Sequence, residues 1–154
     1  TLLDVGCGYG GFWEYLVESG TSCDYTGVDV VPQMISRAQN RFSEAAFLEG
    51  DFLALDLPKY DYVVCNGIFT QKLSSTNLEM NAYLIDMVTK MFGLARHGVA
   101  FNVMSTFANY YSENLYYRSP AELLSWLMTT LSPHVVIDTH NVPSYELCVY
   151  VYKR

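Results

Sequence analysis

The stretch Thr1-Leu-Leu-Asp-Val-Gly-Cys-Gly-Tyr-Gly-Gly11 joins a short apolar segment to a glycine-rich turn. The apolar segment is typical of a β-strand that stops at Gly6, and a helical spacing of apolar residues begins at Phe12. Glycines permit a tight turn and a close approach of the backbone to a ligand, and the N–H groups that open a helix attract its polar end. Strand, turn and helix together predict a small-molecule cofactor site.

The glycines alone leave the identity of that cofactor open. Gly6, Gly8 and Gly11 satisfy the spacing of the dinucleotide-binding fingerprint. Asp29 lies about twenty residues beyond the loop, where an acid that binds ribose hydroxyls is expected. Residues outside the glycine turn therefore have to distinguish a dinucleotide from other nucleoside cofactors.

The rest of the chain alternates between strand and helix patterns. Strands are predicted over 1–5, 25–30, 46–49, 60–65, 98–104, 135–139 and 145–152, and helices over 12–19, 32–42, 77–92 and 120–131. Pro32 suits a first helical turn, Asn77 is the predicted cap of the third helix, and Ser119 followed by Pro120 and Glu122 predicts the fourth. Such alternation predicts an α/β fold with a doubly wound, Rossmann-like sheet. Its seven strands are mostly parallel, with an antiparallel C-terminal strand, because the last connection is too short for a crossover.

Length and composition predict one soluble globular domain over residues 1–154. The chain is 51% hydrophobic and 16% charged, which excludes a disordered protein, and it has no run of about 18 apolar residues that could span a membrane. Its four cysteines are widely spaced and form no metal-ligand pattern, so we expect reduced thiols, a cytoplasmic protein and no metal. Because Thr1 already belongs to a predicted strand, we expect further residues to precede it in the full protein.

The charge balance disfavours nucleic acid as a partner. Nine basic residues stand against sixteen acidic ones, giving a net charge of −7, and ten of the sixteen acids lie between Asp4 and Asp61. A protein that holds a phosphate backbone by general attraction shows the opposite balance. The sequence therefore favours a small molecule or a protein as the partner.

Four segments decide the class of cofactor. Leu3-Asp-Val-Gly-Cys-Gly-Tyr-Gly10 resembles motif I of the class I S-adenosylmethionine-dependent methyltransferases. Gly27-Val-Asp29 resembles the second motif of that family, Gly50-Asp-Phe52 the third, and the segment from Tyr60 to Phe69 the fourth. The terminal hairpin is similar to the antiparallel seventh strand of the family. Members usually carry helices before their first strand, and we expect these helices to be missing from the domain formed by residues 1–154.

The resemblance implies S-adenosylmethionine as cofactor and S-adenosylhomocysteine as product. It implies that Asp29 accepts hydrogen bonds from both ribose hydroxyls, that Asp51 meets the adenine amino group, and that Phe52 flanks the ring. Asp4 would lie near the amino group of the cofactor, or would only brace the glycine loop. The implied cofactor-binding residues are Asp4, Gly6, Cys7, Gly8, Gly10, Asp29, Val30, Asp51, Phe52 and Asn66.

The acceptor side of the site is less defined. Asn66-Gly-Ile-Phe69 resembles the Asn-Pro-Pro-aromatic signature of amine methyltransferases without its prolines, which implies a catalytic contact from Asn66 and a substrate contact from Phe69. Tyr110 and Tyr116 belong to an aromatic segment after the fifth strand that either binds the acceptor or packs onto the sheet. His140 is a candidate general base, because it is the one histidine that follows a strand on the functional edge of the sheet.

The sequence thus predicts a methyltransferase that acts on a small molecule or a protein side chain by in-line displacement, which needs chiefly the positioning of donor and acceptor. One alternative is an NAD-dependent oxidoreductase, although its pyrophosphate would gain nothing from Asp4 or Asp51. Another is a binding module that holds S-adenosylmethionine without catalysis, since function resides in a site and not in a fold.

Overall fold

An eight-stranded mixed sheet forms the centre of the computed structural model, which describes residues 1–140 and 145–154. The strand bounds are β1 Leu2–Val5, β2 Tyr25–Asp29, β3 Ala46–Glu49, β4 Tyr60–Cys65, β5 Ala95–Ser105, β6 Tyr117–Arg118, β7 Val135–Asp138 and β8 Glu146–Tyr152. Their order is β3-β2-β1-β4-β5-β8-β7, with β6 paired to β5. Only β8 runs antiparallel to its described neighbours, β5 and β7. The predicted doubly wound, mostly parallel fold is confirmed.

Helices cover both faces of this sheet. They are α1 Gly11–Glu18, α2 Pro32–Arg41, α3 Asn77–Leu94 and α4 Pro120–Thr130. One cluster of buried side chains joins α3 and α4 to the sheet, and a second cluster joins α1 and α2 to the opposite face. In the part of the chain that the structure describes, no helix has both the length and the apolar character needed to cross a membrane.

Two sequence predictions about α3 are wrong. Its N-cap is Thr76 and not Asn77: the Thr76 hydroxyl accepts from the Glu79 backbone N–H, and the Glu79 carboxylate accepts from that of Thr76. This reciprocal pair satisfies two N–H groups that the first helical turn leaves free. The helix does not end at residue 92, as predicted, but continues through Gly93 to Leu94 and passes directly into β5.

The sheet also extends beyond the predicted strands. β5 begins at Ala95 and reaches Ser105, and β6 is a two-residue strand that pairs with the last residues of β5. Two residues are too few to show a periodic pattern. The sequence therefore gives no local sign of β6, which forms by pairing with β5. The sheet therefore has one more strand than the seven predicted.

The strand register places one group of loops at a common edge. Val5 at the end of β1 is level with Val28 in β2 and with Cys65 at the end of β4, and Asp29 is level with Glu49 in β3. In the sheet, β2 and β3 lie on one side of β1, and β4 lies on the other side. The direction in which strands are added therefore reverses beside the glycine loop. Ligands of doubly wound sheets bind at this point, outside the carboxyl ends of the strands.

Candidate cofactor site

A cleft of about 620 Å³ opens at the carboxyl ends of β1 to β4. The structure brings six of the predicted cofactor-binding residues to its wall: Gly6, Asp29, Val30, Asp51, Phe52 and Asn66. Sequence reasoning missed Tyr83 and Met87, two α3 side chains that also line it. They are four residues apart and so share one face of the helix, a spacing that could have indicated a common surface.

The glycine loop forms the predicted tight turn with a left-handed backbone conformation that favours glycine. Gly6, Gly8 and Gly10 have φ angles of 77°, 55° and 85°. At Gly6 a Cβ atom would lie 2.5 Å from Ile68 Cδ1, so the loop after β4 packs directly on this backbone. Gly6 therefore meets two requirements at once, a positive φ and a close approach between two walls of the cleft.

We expect Gly6→Ala to lower the free energy of unfolding by about 2–3 kcal/mol, because the backbone is strained and the stiff, β-branched Ile68 must move. Gly8→Ala is the matched control, since its φ is also positive but no atom lies within 4 Å of the added Cβ. That variant should lose only about 1 kcal/mol. Urea unfolding of both variants gives the comparison, and equal losses would show that Ile68 does not restrict Gly6.

Asp29 is fixed by the two backbone segments that flank it in space. Its Oδ2 accepts a hydrogen bond from Gly8 N at 2.9 Å, and its Oδ1 accepts one from Val31 N at 2.8 Å. A carboxylate has about four acceptor positions, so each oxygen retains one for a ligand. The acid thus ties the glycine loop to the end of β2 and still presents free acceptor positions at the cleft.

Lys90 holds the loop that carries Asp51 and Phe52. Its ammonium group donates to Leu53 O at 3.0 Å and to Leu55 O at 2.6 Å, and it lies 5.2 Å from the centre of the Phe52 ring. Asp51 Oδ1 accepts from Leu53 N at 2.9 Å, which closes a local turn. Helix α3 therefore anchors the second acidic wall of the cleft, although Lys90 follows that wall by more than thirty residues in the sequence.

Asp4 and Cys7 do not line the cleft, and of the two roles predicted for Asp4 this position favours the bracing of the glycine loop. Asp4 is 3% exposed, and its Oδ2 accepts a hydrogen bond of 2.6 Å from the Tyr25 hydroxyl. The Cys7 thiol packs behind the loop, where it would lie 2.7 Å from a Cβ atom on Gly27, and burial near two carboxylates raises its pKa to about 12. Both side chains support the loop from inside the protein.

The structure places Phe69 and Tyr116, the two predicted substrate contacts, in the core and away from the cleft wall. Both side chains are fully buried. Phe69 packs edge-on against Phe101 and Tyr83, and the Tyr116 hydroxyl donates to Asn81 Oδ1 at 2.7 Å. Neighbours distant in sequence enclose these rings, so neither ring presents a surface to an acceptor.

Tyr110 and His140 lie on the surface. Tyr110 is 67% exposed, in the loop after β5, and it does not line the cleft. His140 is exposed beyond β7, its backbone N–H donates to Asp138 Oδ1 at 2.7 Å, and it too lies outside the cleft wall. Within residues 1–140 and 145–154, no three histidine, cysteine or acidic side chains cluster as metal ligands.

Comparison with known proteins identifies the family. The family described as a methyltransferase domain matches residues 2–84. A provisionally named methyltransferase of Mycobacterium tuberculosis is 32% identical over 155 residues, which cover 99% of this chain and 93% of that protein. The chain belongs to the S-adenosylmethionine-dependent methyltransferases.

Further relatives of this methyltransferase agree with the assignment. A malonyl-[acyl-carrier protein] O-methyltransferase of Acetivibrio thermocellus is 35% identical over 74 residues, 44% of this chain and 25% of that protein. Magnesium protoporphyrin IX methyltransferase from Synechocystis, solved with bound S-adenosylmethionine, has a TM-score of 0.69 at 18% identity over 99% of this chain and 69% of its own. Human N-acetylserotonin methyltransferase has a TM-score of 0.73 at 13% identity, over 99% and 47% of the two chains. These two structures share the fold, and the comparisons give the oxidoreductase alternative no support.

The cofactor of this methyltransferase is S-adenosylmethionine, and the donor set of the cleft fits it. Two carboxylates, Asp29 and Asp51, lie in the wall, and no lysine or arginine does within the described residues. Carboxylates favour a sulfonium cation and accept from ribose and amino groups, whereas they would repel the pyrophosphate of a dinucleotide. Phe52 adds an apolar surface on which a base ring can pack.

The buried Asp4 of the methyltransferase makes its stability depend on pH. Burial is the main cause that raises the pKa of Asp4 from 3.8 to about 6; the Tyr25 hydrogen bond opposes this and the nearby Asp29 adds to it. Between these pH values the folded protein holds a proton that the unfolded chain releases. Stability from this group is therefore present below pH 4 and lost as the pH rises through 6, by about 3 kcal/mol in total.

We expect Asp4→Asn to remove this pH dependence, because the amide keeps an acceptor for Tyr25 but does not titrate. Urea unfolding of both proteins at pH 5 and pH 7.5 covers about half of the predicted change. The free energy of unfolding of the variant, relative to that of the unaltered chain, should be about 1–2 kcal/mol higher at pH 7.5 than at pH 5. A stability difference that is the same at both pH values would mean that Asp4 titrates normally.

Proposed function

We propose that a single domain spanning residues 1–154 transfers the methyl group of S-adenosylmethionine to a small organic molecule by in-line displacement. The observation that carries this proposal is the pair of cleft-lining carboxylates, Asp29 and Asp51, at the tips of neighbouring strands of a methyltransferase sheet. A cleft of about 620 Å³ is of the size that small ligands occupy in proteins.

Each wall of the cleft has a distinct part in holding the cofactor. Asp29, already oriented by two backbone N–H groups, binds the ribose hydroxyls through its free acceptor positions. Asp51 accepts from the adenine amino group and Phe52 packs on the ring, on a loop that Lys90 keeps in place. The glycine loop brings its backbone against the remaining part of the cofactor.

When bound, S-adenosylmethionine supplies a methyl group on positively charged sulfur, so the chain needs chiefly to align the acceptor with that methyl. Asn66 is the candidate for this contact, because it is exposed at the cleft and its side chain makes no hydrogen bond to the described residues. Tyr110 is exposed in a neighbouring loop and is a second candidate contact. A net charge of −7 favours a small acceptor over a nucleic acid.

Calorimetric titration with S-adenosylhomocysteine and, separately, with NAD tests the cofactor part of the proposal. We expect saturable binding of the first compound and none of the second. A screen of small molecules with labelled methyl donor then tests the acceptor class, with an unrelated peptide mixture as the comparison. Binding of NAD alone would overturn the proposal, and label found only in peptides would replace the small molecule by a protein side chain.

A further inference from the structure

The turn after β4 is held through both backbone polar groups of one residue, Gly67. Gly67 N donates to Asn102 Oδ1 at 2.7 Å, and the Thr70 hydroxyl donates to Gly67 O at 2.8 Å. Gly67 has a φ of 90°, which favours glycine, and it lines the cleft together with the preceding Asn66. The direction of Asn66 therefore depends on contacts made by its neighbour.

Asn102 reaches this turn from the middle of β5. Its side chain is 8% exposed, and its Nδ2 group donates to Glu146 Oε2 at 3.1 Å. A carboxylate only accepts hydrogen bonds, so Glu146 attracts the NH₂ end of the amide and the Oδ1 end turns towards Gly67. The orientation of a buried amide is thus selected from β8, a strand that does not line the cleft.

We propose that Asn102 is a positioning residue of the methyl-transfer site, and that Glu146 sets its orientation. The two hydrogen bonds form a relay from β8 through β5 to the Asn66–Gly67 turn. This proposal rests on the proposed function, because it assumes that the turn borders the reacting methyl group. Neither residue lines the cleft, and both act on the geometry of Asn66 through Gly67.

The relay predicts a specific pattern of loss and rescue. Asn102→Leu removes both hydrogen bonds at similar volume. Asn102→Asp can still accept from Gly67 N, but it places a second carboxylate beside Glu146, which repels it. Adding Glu146→Gln supplies an amide that donates to that carboxylate. The hydrogen bond between positions 102 and 146 is then restored with donor and acceptor exchanged.

The first readout is the NMR amide exchange of Gly67 in the full chain without ligand. Exchange should be about tenfold faster in Asn102→Leu and in Asn102→Asp, and should return to within about twofold of the original rate in the Asn102→Asp/Glu146→Gln pair. The matched control is Ser132→Ala, which removes a buried hydrogen bond to Tyr152 O at the opposite end of β8 and should leave Gly67 unchanged.

The second readout is the affinity for S-adenosylhomocysteine, which should fall about three- to tenfold in Asn102→Leu and recover in the double variant. Any of three results would overturn the relay. Gly67 exchange is unchanged in Asn102→Leu, or it is as fast in the double variant as in Asn102→Asp, or Ser132→Ala accelerates it as much as Asn102→Leu does. Should Asn102→Leu not fold, the comparison of Asn102→Asp with the Asn102→Asp/Glu146→Gln double variant tests the relay by itself. Failure of the proposed function appears separately, as absence of binding to the unaltered chain.

Discussion

Replacing Asp29 with alanine is expected to weaken the binding of S-adenosylhomocysteine by at least about tenfold, because two charge-assisted hydrogen bonds to the ribose are lost. The same change leaves the backbone N–H groups of Gly8 and Val31 without their acceptor, so the glycine loop also loses its tie to β2. Calorimetry measures the loss of affinity, and urea unfolding measures the accompanying loss of stability.

Asp24→Ala is the matched control for this variant. Asp24 precedes β2 at the opposite end of the strand and its side chain is exposed, so its removal changes the net charge equally without touching the cleft. We expect its affinity to stay within about twofold of that of the unaltered chain. Equal affinities of the two variants would remove Asp29 from the cofactor site.

Phe69→Ala is expected to cost about 3–5 kcal/mol of unfolding free energy, the largest loss of stability among the substitutions considered. The Phe69 ring is fully buried, and its centre lies 5.8 Å from that of Phe101 and 6.2 Å from that of Tyr83. Its removal leaves a cavity between β4, β5 and α3 that the rigid sheet cannot close. Chemical denaturation with urea gives the value.

Tyr110→Ala separates packing from acceptor binding. This ring is 67% exposed, so we expect a stability change of less than about 0.5 kcal/mol. Once an acceptor is known, Tyr110→Ala should raise its KM while Phe69→Ala acts only through stability. A small stability loss in Phe69→Ala combined with a raised KM would restore Phe69 as a substrate contact.

Local patterns in the sequence were sufficient to predict most of the fold. The strand, glycine turn and helix around Gly6 lie within one short segment, and the acids after β2 and β3 follow directly from strand ends. Thr76 was also within reach, because Thr76 and Glu79 have the spacing of a capping box. The adjacent Asn77 competes with it in the sequence, since asparagine is itself a frequent cap.

Contacts between distant segments explain what the sequence did not predict. Phe69 and Tyr116 follow strands at the functional edge, and nothing nearby in the sequence indicates that β5, α3 and α4 enclose them. Asp4 could bind a ligand or brace the loop, and only the position of Tyr25 places it in the core. The Asn102 relay joins residues 67, 102 and 146, and no local pattern reveals such a contact.

A crystal structure of the chain with S-adenosylhomocysteine is the most direct measurement of the cofactor geometry. We expect the ribose hydroxyls within hydrogen-bond distance of Asp29, and the adenine against Phe52 with its amino group near Asp51. A nucleoside bound away from both acids, or a cleft that stays empty in crystals soaked at saturating concentration, would contradict the assignment of this cleft as the methyl-donor site.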